Sequence, residues 1–193
     1  MKNSILLKIV ASLFVCASWA NGAGKTRYQN FSMTDRFQCE LSRDWVVKQD
    51  KEQDEKDAVF GVQATAPQRP DAPAALIAVE YYSPDNRYFK SAEELIKHYR
   101  KVDREMSLSG PEMGAVQSLR VGKYAAKKFE QKTSYPFPAN SINARKITVR
   151  KEYVLIPRQK GFFLLRYSAP AQEFEEKRSS FDRVLRTFST PLP

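Results

Sequence analysis

Residues 153–188, YVLIPRQKGFFLLRYSAPAQEFEEKRSSFDRVLRTF, decide the fold. Tyr153 to Ile156 are apolar, Arg158–Gly161 supplies turn chemistry, and FFLLRYS resumes the apolar run. Two such runs joined by a short turn read as an antiparallel hairpin. Phe162 and Leu164 alternate with Phe163, Leu165 and Tyr167, so the second strand is apolar on both faces and needs a cover on both. Beyond it Phe174, Arg178, Phe181, Leu185 and Phe188 recur at helical spacing, with Val184 beside them. Pro170 is expected in the first turn of that helix, where its missing N–H costs nothing.

Upstream, residues 147–156 (ITVRKEYVLI) alternate, with Ile147, Val149, Tyr153 and Leu155 on one side and Lys146, Thr148, Arg150 and Glu152 expected to point outward. Residues 133–142 (TSYPFPANSI) hold two prolines and read as a loop. Strands over 115–121 and 123–132 flank a turn at Val121–Gly122. Ser91 followed by Glu94 is a capping box that opens a helix. Its stripe is Ala92, Leu95, Ile96, Tyr99, Val102 and Met106, and its end is expected near Ser107. ALIAVEYY (75–82) is apolar on both faces and reads as a central strand. Shorter strands are expected at 36–41, 45–49 and 58–66, and the charged run KQDKEQDEKD (48–57) reads as a solvated hairpin loop. The order of strands and two amphipathic helices gives an α+β class, an antiparallel β-sheet flanked by helices. Residues 21–33 are expected to be a flexible lead and 34–190 one domain.

The first 20 residues have another character. Lys2 and Lys8 precede the apolar run IVASLFVCASWA, and Ser18 and Ala20 are the small residues of a cleavage site. This is a secretory signal, so the protein is expected to be exported, periplasmic or extracellular, with no transmembrane span once residues 1–20 are removed. The remaining chain keeps one cysteine, Cys39, and the fold must rest on its core rather than on a disulfide. The 12 Phe and 9 Tyr supply that core.

No catalytic motif is present. His98 is the sole histidine and lies at the edge of a helix stripe. Cys39 alternates with Phe37 and Leu41 and points inward. No spacing of His, Cys or carboxylates specifies a metal. The reading is therefore non-enzymatic, without cofactor, catalytic residue or metal ligand.

FQCELSRDW (37–45), IAVEYYSPDNRYFKSAEEL (77–95), SLRVGKYAAKKFE (118–130) and the stretch that runs from Tyr153 to Phe188 together resemble the PsbP-like domain family. That family is named for an extrinsic subunit of photosystem II; its relatives include a Ran-binding import factor of yeast and the bacterial DcrB-type envelope proteins. The resemblance spans residues 34–190. It implies an α/β/α sandwich around an antiparallel sheet, in proteins that bind and stabilise partners or help assemble complexes rather than catalyse. No catalytic or metal residue is carried over by it.

Charge adds the last clue. The formal net charge is +10, and residues 120–160 hold eleven Lys and Arg against Glu130 and Glu152 alone. The candidate basic face comprises Lys127, Lys128, Lys132, Lys146, Arg150 and Lys151. Such a face attracts an acidic protein partner or an anionic envelope surface. Basic residues interleave with Tyr135, Phe137 and Tyr153 as in nucleic-acid binders, but an exported chain without a recognition motif does not meet nucleic acid.

Overall fold

A computed structural model of the chain describes residues 27–105, 112–139 and 141–193. The expected secretory signal lies outside these residues, as do Met106 and the expected helix end near Ser107. The elements are β1 (Tyr28–Met33), β2 (Phe37–Ser42), β3 (Val46–Lys48), α1 (Lys51–Asp57), β4 (Val59–Thr65), β5 (Leu76–Tyr82) and α2 (Ala92–Glu105). They continue with β6 (Glu112–Met113), β7 (Gln117–Val121), β8 (Tyr124–Phe137), β9 (Arg145–Pro157), β10 (Phe162–Pro170) and α3 (Phe174–Thr187).

Strands β3 to β10 form one sheet in the order β3-β4-β5-β10-β9-β8-β6, with β7 also on β8. Every pairing is antiparallel. The strand β10 sits between β5 and β9, with Leu164 opposite Glu80 on one side and Leu155 on the other. This is why FFLLRYS and LIAVEYY are apolar on both faces: Val79, Phe162, Phe163 and Leu165 have no exposed surface.

Each face has its own cover. Against one face α2 packs Ala92, Leu95 and Ile96 on Phe129, Tyr153, Leu155, Phe162 and Leu164. On the other, Phe174, Phe181 and Val184 of α3 join Phe37, Cys39 and Leu41 of β2 over Val154, Ile156, Phe163, Leu165 and Tyr167. Burying one such Phe stabilises by about 1.5–3 kcal/mol. The β1–β2 pair is held to α3 by a bridge between Gln38 and Ser189, by Thr187 Oγ1 accepting from the Glu40 N–H at 2.9 Å, and by an Arg183–Glu40 ion pair at 2.6 Å. The α+β class, with an antiparallel sheet flanked by helices, is thus what the chain adopts.

Local chemistry explains the element ends. At the start of α2 the Glu94 N–H donates to Ser91 Oγ at 3.1 Å, while the Glu94 carboxylate accepts from the Lys90 N–H at 2.6 Å. This is the expected capping box shifted back by one residue on its return arm. At the β9–β10 turn Gly161 has φ of +78°, and a Cβ there would lie 2.0 Å from the Tyr82 carbonyl oxygen. Only glycine fits.

Several expectations are corrected. Residues 28–33, assigned to the flexible lead, form β1, paired rung by rung with β2 from Tyr28↔Ser42 to Met33↔Phe37. The charged run forms α1 instead of a loop: Asp50 caps it by accepting from the Gln53 N–H at 3.1 Å, and Ala58 closes it in the left-handed region. Pro170 ends β10, opposite Val149, and α3 begins after a turn. The strand β8 runs through Pro136 to Phe137, so half of the expected 133–142 loop is strand; Pro is tolerated where a strand becomes an edge. Glu152 does not point outward: it is 1% exposed beneath α3.

Candidate binding surface

The pleat of β8 and β9 sorts the basic residues, because side chains alternate between faces and directly paired residues share one. Lys127 pairs with Leu155 and Gln131 with Lys151, which puts Lys127 and Lys151 on the α2 face. Lys128 opposite Val154, Lys132 opposite Arg150, and Pro136 opposite Lys146 put Lys128, Lys132, Lys146 and Arg150 on the α3 face. The six expected residues therefore do not form one face.

They also differ in what they are free to do. The Lys127 ammonium lies 2.8 Å from the Glu93 carboxylate and holds that carboxyl below its usual range. Lys151 is half-buried, and desolvation pushes its ammonium pKa down, with Arg166 adding to the effect. Arg150 bridges Glu130 at 3.0 Å and Glu175 at 2.7 Å, and its guanidinium lies 3.9 Å from the Phe174 ring centroid. That arginine is a tie between sheet and helix, and its buried Nε has no hydrogen-bond partner.

Glu152 behaves the same way from the acidic side. Directly opposite it across β8–β9 stands Glu130, a like charge. Arg150 neutralises Glu130, while Arg178 of α3 grips both oxygens of Glu152, with Nη2 to Oε1 at 3.0 Å. Both acids of the 120–160 region are thus consumed by arginines. Lys128, Lys132 and Lys146 form no ion pair among the described residues.

Two residues that the sequence reading left out complete this surface. Arg145 is exposed beside Lys146, and Arg69 reaches it from the Pro-rich connector. Together with Thr148, Pro170 and Gln172 they line a cleft of about 410 Å³. Arg69 is itself paired with Asp71 at 3.3 Å and Glu173 at 3.2 Å. Neither was within reach of strand alternation: Arg145, opposite Phe137, alternates to the other side of the strand from Lys146 and meets it only at the cleft, and Arg69 comes from a connector far away in sequence.

A second recess, about 950 Å³, lies between α1 and the sheet and is lined by Lys48, Asp54, Gly61, Gln63, Glu80, Tyr82 and Tyr88 among others. Burial raises the Glu80 carboxyl, which lies 3.8 Å from the Arg166 guanidinium, and burial likewise raises Asp54, which accepts from the Gly61 N–H at 3.3 Å. No nucleophile paired to a base lines it, and no group of three metal-ligating side chains occurs among the described residues. His98 is an exposed helix residue against the Phe89 ring, with centroids 5.3 Å apart. Burial pushes the Cys39 thiol up to about 12, which makes it inert as a nucleophile. No helix among the described residues is long and apolar enough to cross a membrane.

No protein-family model matches the chain, and no curated protein matches it in sequence. Solved structures do. Cyanobacterial PsbP from Synechocystis is 15% identical, with 88% of this chain and 95% of that one covered at a TM-score of 0.50. LpqN, involved in cell envelope biogenesis of Mycobacterium tuberculosis, is 15% identical over 86% of this chain and 91% of its own, at a TM-score of 0.48. A protein of unknown function from Pseudomonas aeruginosa is 11% identical over 86% of this chain and 99% of its own, at 0.45. The sheet order, the two helical covers and the likeness to PsbP give one conclusion: the fold of this chain is PsbP-like.

Proposed function

We propose that the protein is an exported, non-enzymatic binding protein of the cell envelope, which meets an acidic partner protein through the α3 face of β8–β9. One observation carries this reading. Lys128, Lys132 and Lys146 project from one face of the same hairpin with no ion-pair partner among the described residues, while both acids of residues 120–160 are taken by Arg150 and Arg178. A surface of uncompensated cations on a rigid sheet speeds encounter with an anionic partner and suppresses wrong ones. The periplasmic or extracellular setting rests on the charged, apolar and small-residue segments of residues 1–20. The likeness to PsbP concerns the fold and does not carry this reading, since fold likeness is a weak warrant for function.

The test is recovery of partners from a detergent extract of the native envelope, comparing the parent with K128E/K132E/K146E. Arg150 is left intact, because changing it would release Glu130 and Glu175. The triple variant should lose the partner while its thermal unfolding is unchanged. Equal recovery by both proteins removes the charge-based contact.

A further inference from the structure

Among the described residues the β8–β9 hairpin outruns its neighbours: described pairing with β6 reaches Lys132, and pairing with β10 reaches Val149. The rungs Ser134↔Thr148, Tyr135↔Ile147, Pro136↔Lys146 and Phe137↔Arg145 belong to no other strand among the described residues. Four rungs make an arm about 13 Å long. Its only described backbone tie to the rest of the fold is the Ala171 N–H donating to the Thr148 carbonyl at 2.8 Å.

The arm is two-sided. Tyr135, Phe137 and Ile147 share the α2 side, yet α2 packs on Phe129, Tyr153, Leu155, Phe162 and Leu164, none of which lies in the arm. Ser134, Pro136, Lys146 and Thr148 take the opposite side. At the tip Ile142 is 101% exposed, more than any other large apolar residue described. From Gln131 to Lys151 the sequence holds Lys132, Arg145, Lys146, Arg150 and Lys151 and no acid.

We infer that this arm is an interfacial foot that seats on an anionic lipid bilayer, with Ile142 in the acyl boundary, Tyr135 and Phe137 at headgroup depth, and Lys132, Arg145 and Lys146 on the phosphates. The bilayer is favoured over a protein by the make-up of this tip. A wholly exposed isoleucine on a narrow tip gives too little area for a specific protein interface, whereas aromatic residues flanking an apolar tip, on a hairpin whose own residues 131–151 carry cations and no acid, suit the lipid–water boundary. Each cation near an anionic surface contributes roughly fivefold in binding. The contact shares Lys132 and Lys146 with the protein-binding face proposed above but does not depend on that reading, because Ile142, Tyr135 and Phe137 belong to the foot alone.

The experiment is co-sedimentation of the purified protein with vesicles of phosphatidylcholine alone and of phosphatidylcholine with an equal part of phosphatidylglycerol. The parent is compared with I142D and with K132Q/R145Q/K146Q. The apolar run of residues 1–20, if retained, would contribute equally to all three proteins, so the foot is read from their differences. The parent should bind the phosphatidylglycerol vesicles and lose binding as salt is raised. The triple variant should bind on the order of a hundredfold more weakly, and I142D at least about tenfold more weakly. Ile142 has no buried contacts to lose, so I142D folds as the parent does. No binding to anionic vesicles at low salt overturns the inference, as does equal binding by parent and variants or equal binding to both lipids. Retained partner recovery from the detergent extract, where no bilayer remains, alongside absent vesicle binding would overturn the foot and leave the protein-binding reading standing.

Discussion

Replacing Arg178 with methionine should destabilise the protein at its sheet–helix seam. Glu152 is 1% exposed, and Arg178, 22% exposed, binds both its oxygens and also reaches Asp182 at 3.4 Å. Without the guanidinium a carboxylate is left in a nearly dry site, opposite Glu130 on the neighbouring strand. Stranding one member of a buried pair costs about 3–5 kcal/mol. Partial exposure of the arginine side lets water relieve some of this, so about 3 kcal/mol is expected, with a midpoint fall of roughly 6–12 °C for a domain of this size. In contrast E152Q keeps an acceptor and removes the charge, and should cost about 1–2 kcal/mol. The double variant R178M/E152Q should be no worse than R178M and should recover at least about 1 kcal/mol relative to the sum of the two singles. Urea unfolding followed by circular dichroism measures all three. If R178M costs under about 1 kcal/mol, or the double variant equals that sum, the pair is not the coupled, desolvated tie the geometry describes.

Two further outcomes follow from positions already described. G161A should destabilise by about 3 kcal/mol or more, since its Cβ would strike the Tyr82 carbonyl; G122A, also at positive φ but with nothing within 4 Å, should cost only about 1 kcal/mol, and thermal melts separate them. Because burial raises Cys39 above its unfolded value, the folded state holds the thiol proton longer than the unfolded chain does. Stability from this group is complete below about pH 9 and is lost as pH rises toward 12, by up to about 1.4 kcal/mol per pH unit. Urea titrations should show C39A with a shallower fall over that range, and alkylation at pH 8 should mark the peptide 37–43 only in denaturant.

What could be read from the sequence depended on whether the cause was local. The strands β5 and β10 were legible because burial on both faces writes a continuous apolar run. The start of α2 was legible because Ser91 and Glu94 sit three residues apart. The short helix α1 was not, since it has no apolar stripe; its signals were the Asp50 cap and the left-handed Ala58, and seven charged and polar residues read equally well as a loop. Strand β1 owes its order to Gln38, Glu40 and residues 183–189 of α3 and beyond, far away in sequence. The basic face was half legible. Alternation alone separates Lys127 from Lys128 and Arg150 from Lys151, but nothing local says that Arg150 is bound by Glu130 and Glu175, or that Glu152 is buried under a helix 26 residues on.

The position of β10 in the sheet has a consequence in time. It is the last strand made, yet it joins β5 to β9 and so unites two halves that have no direct pairing with each other. A chain still being synthesised, lacking residues 162–170, carries β3–β5 and β6–β9 as separate ladders, each with an open apolar edge. Closure waits for the final stretch of polypeptide, and such long-range pairing is slow. On the export route proposed above, this delay would keep the nascent chain loose until it is nearly complete.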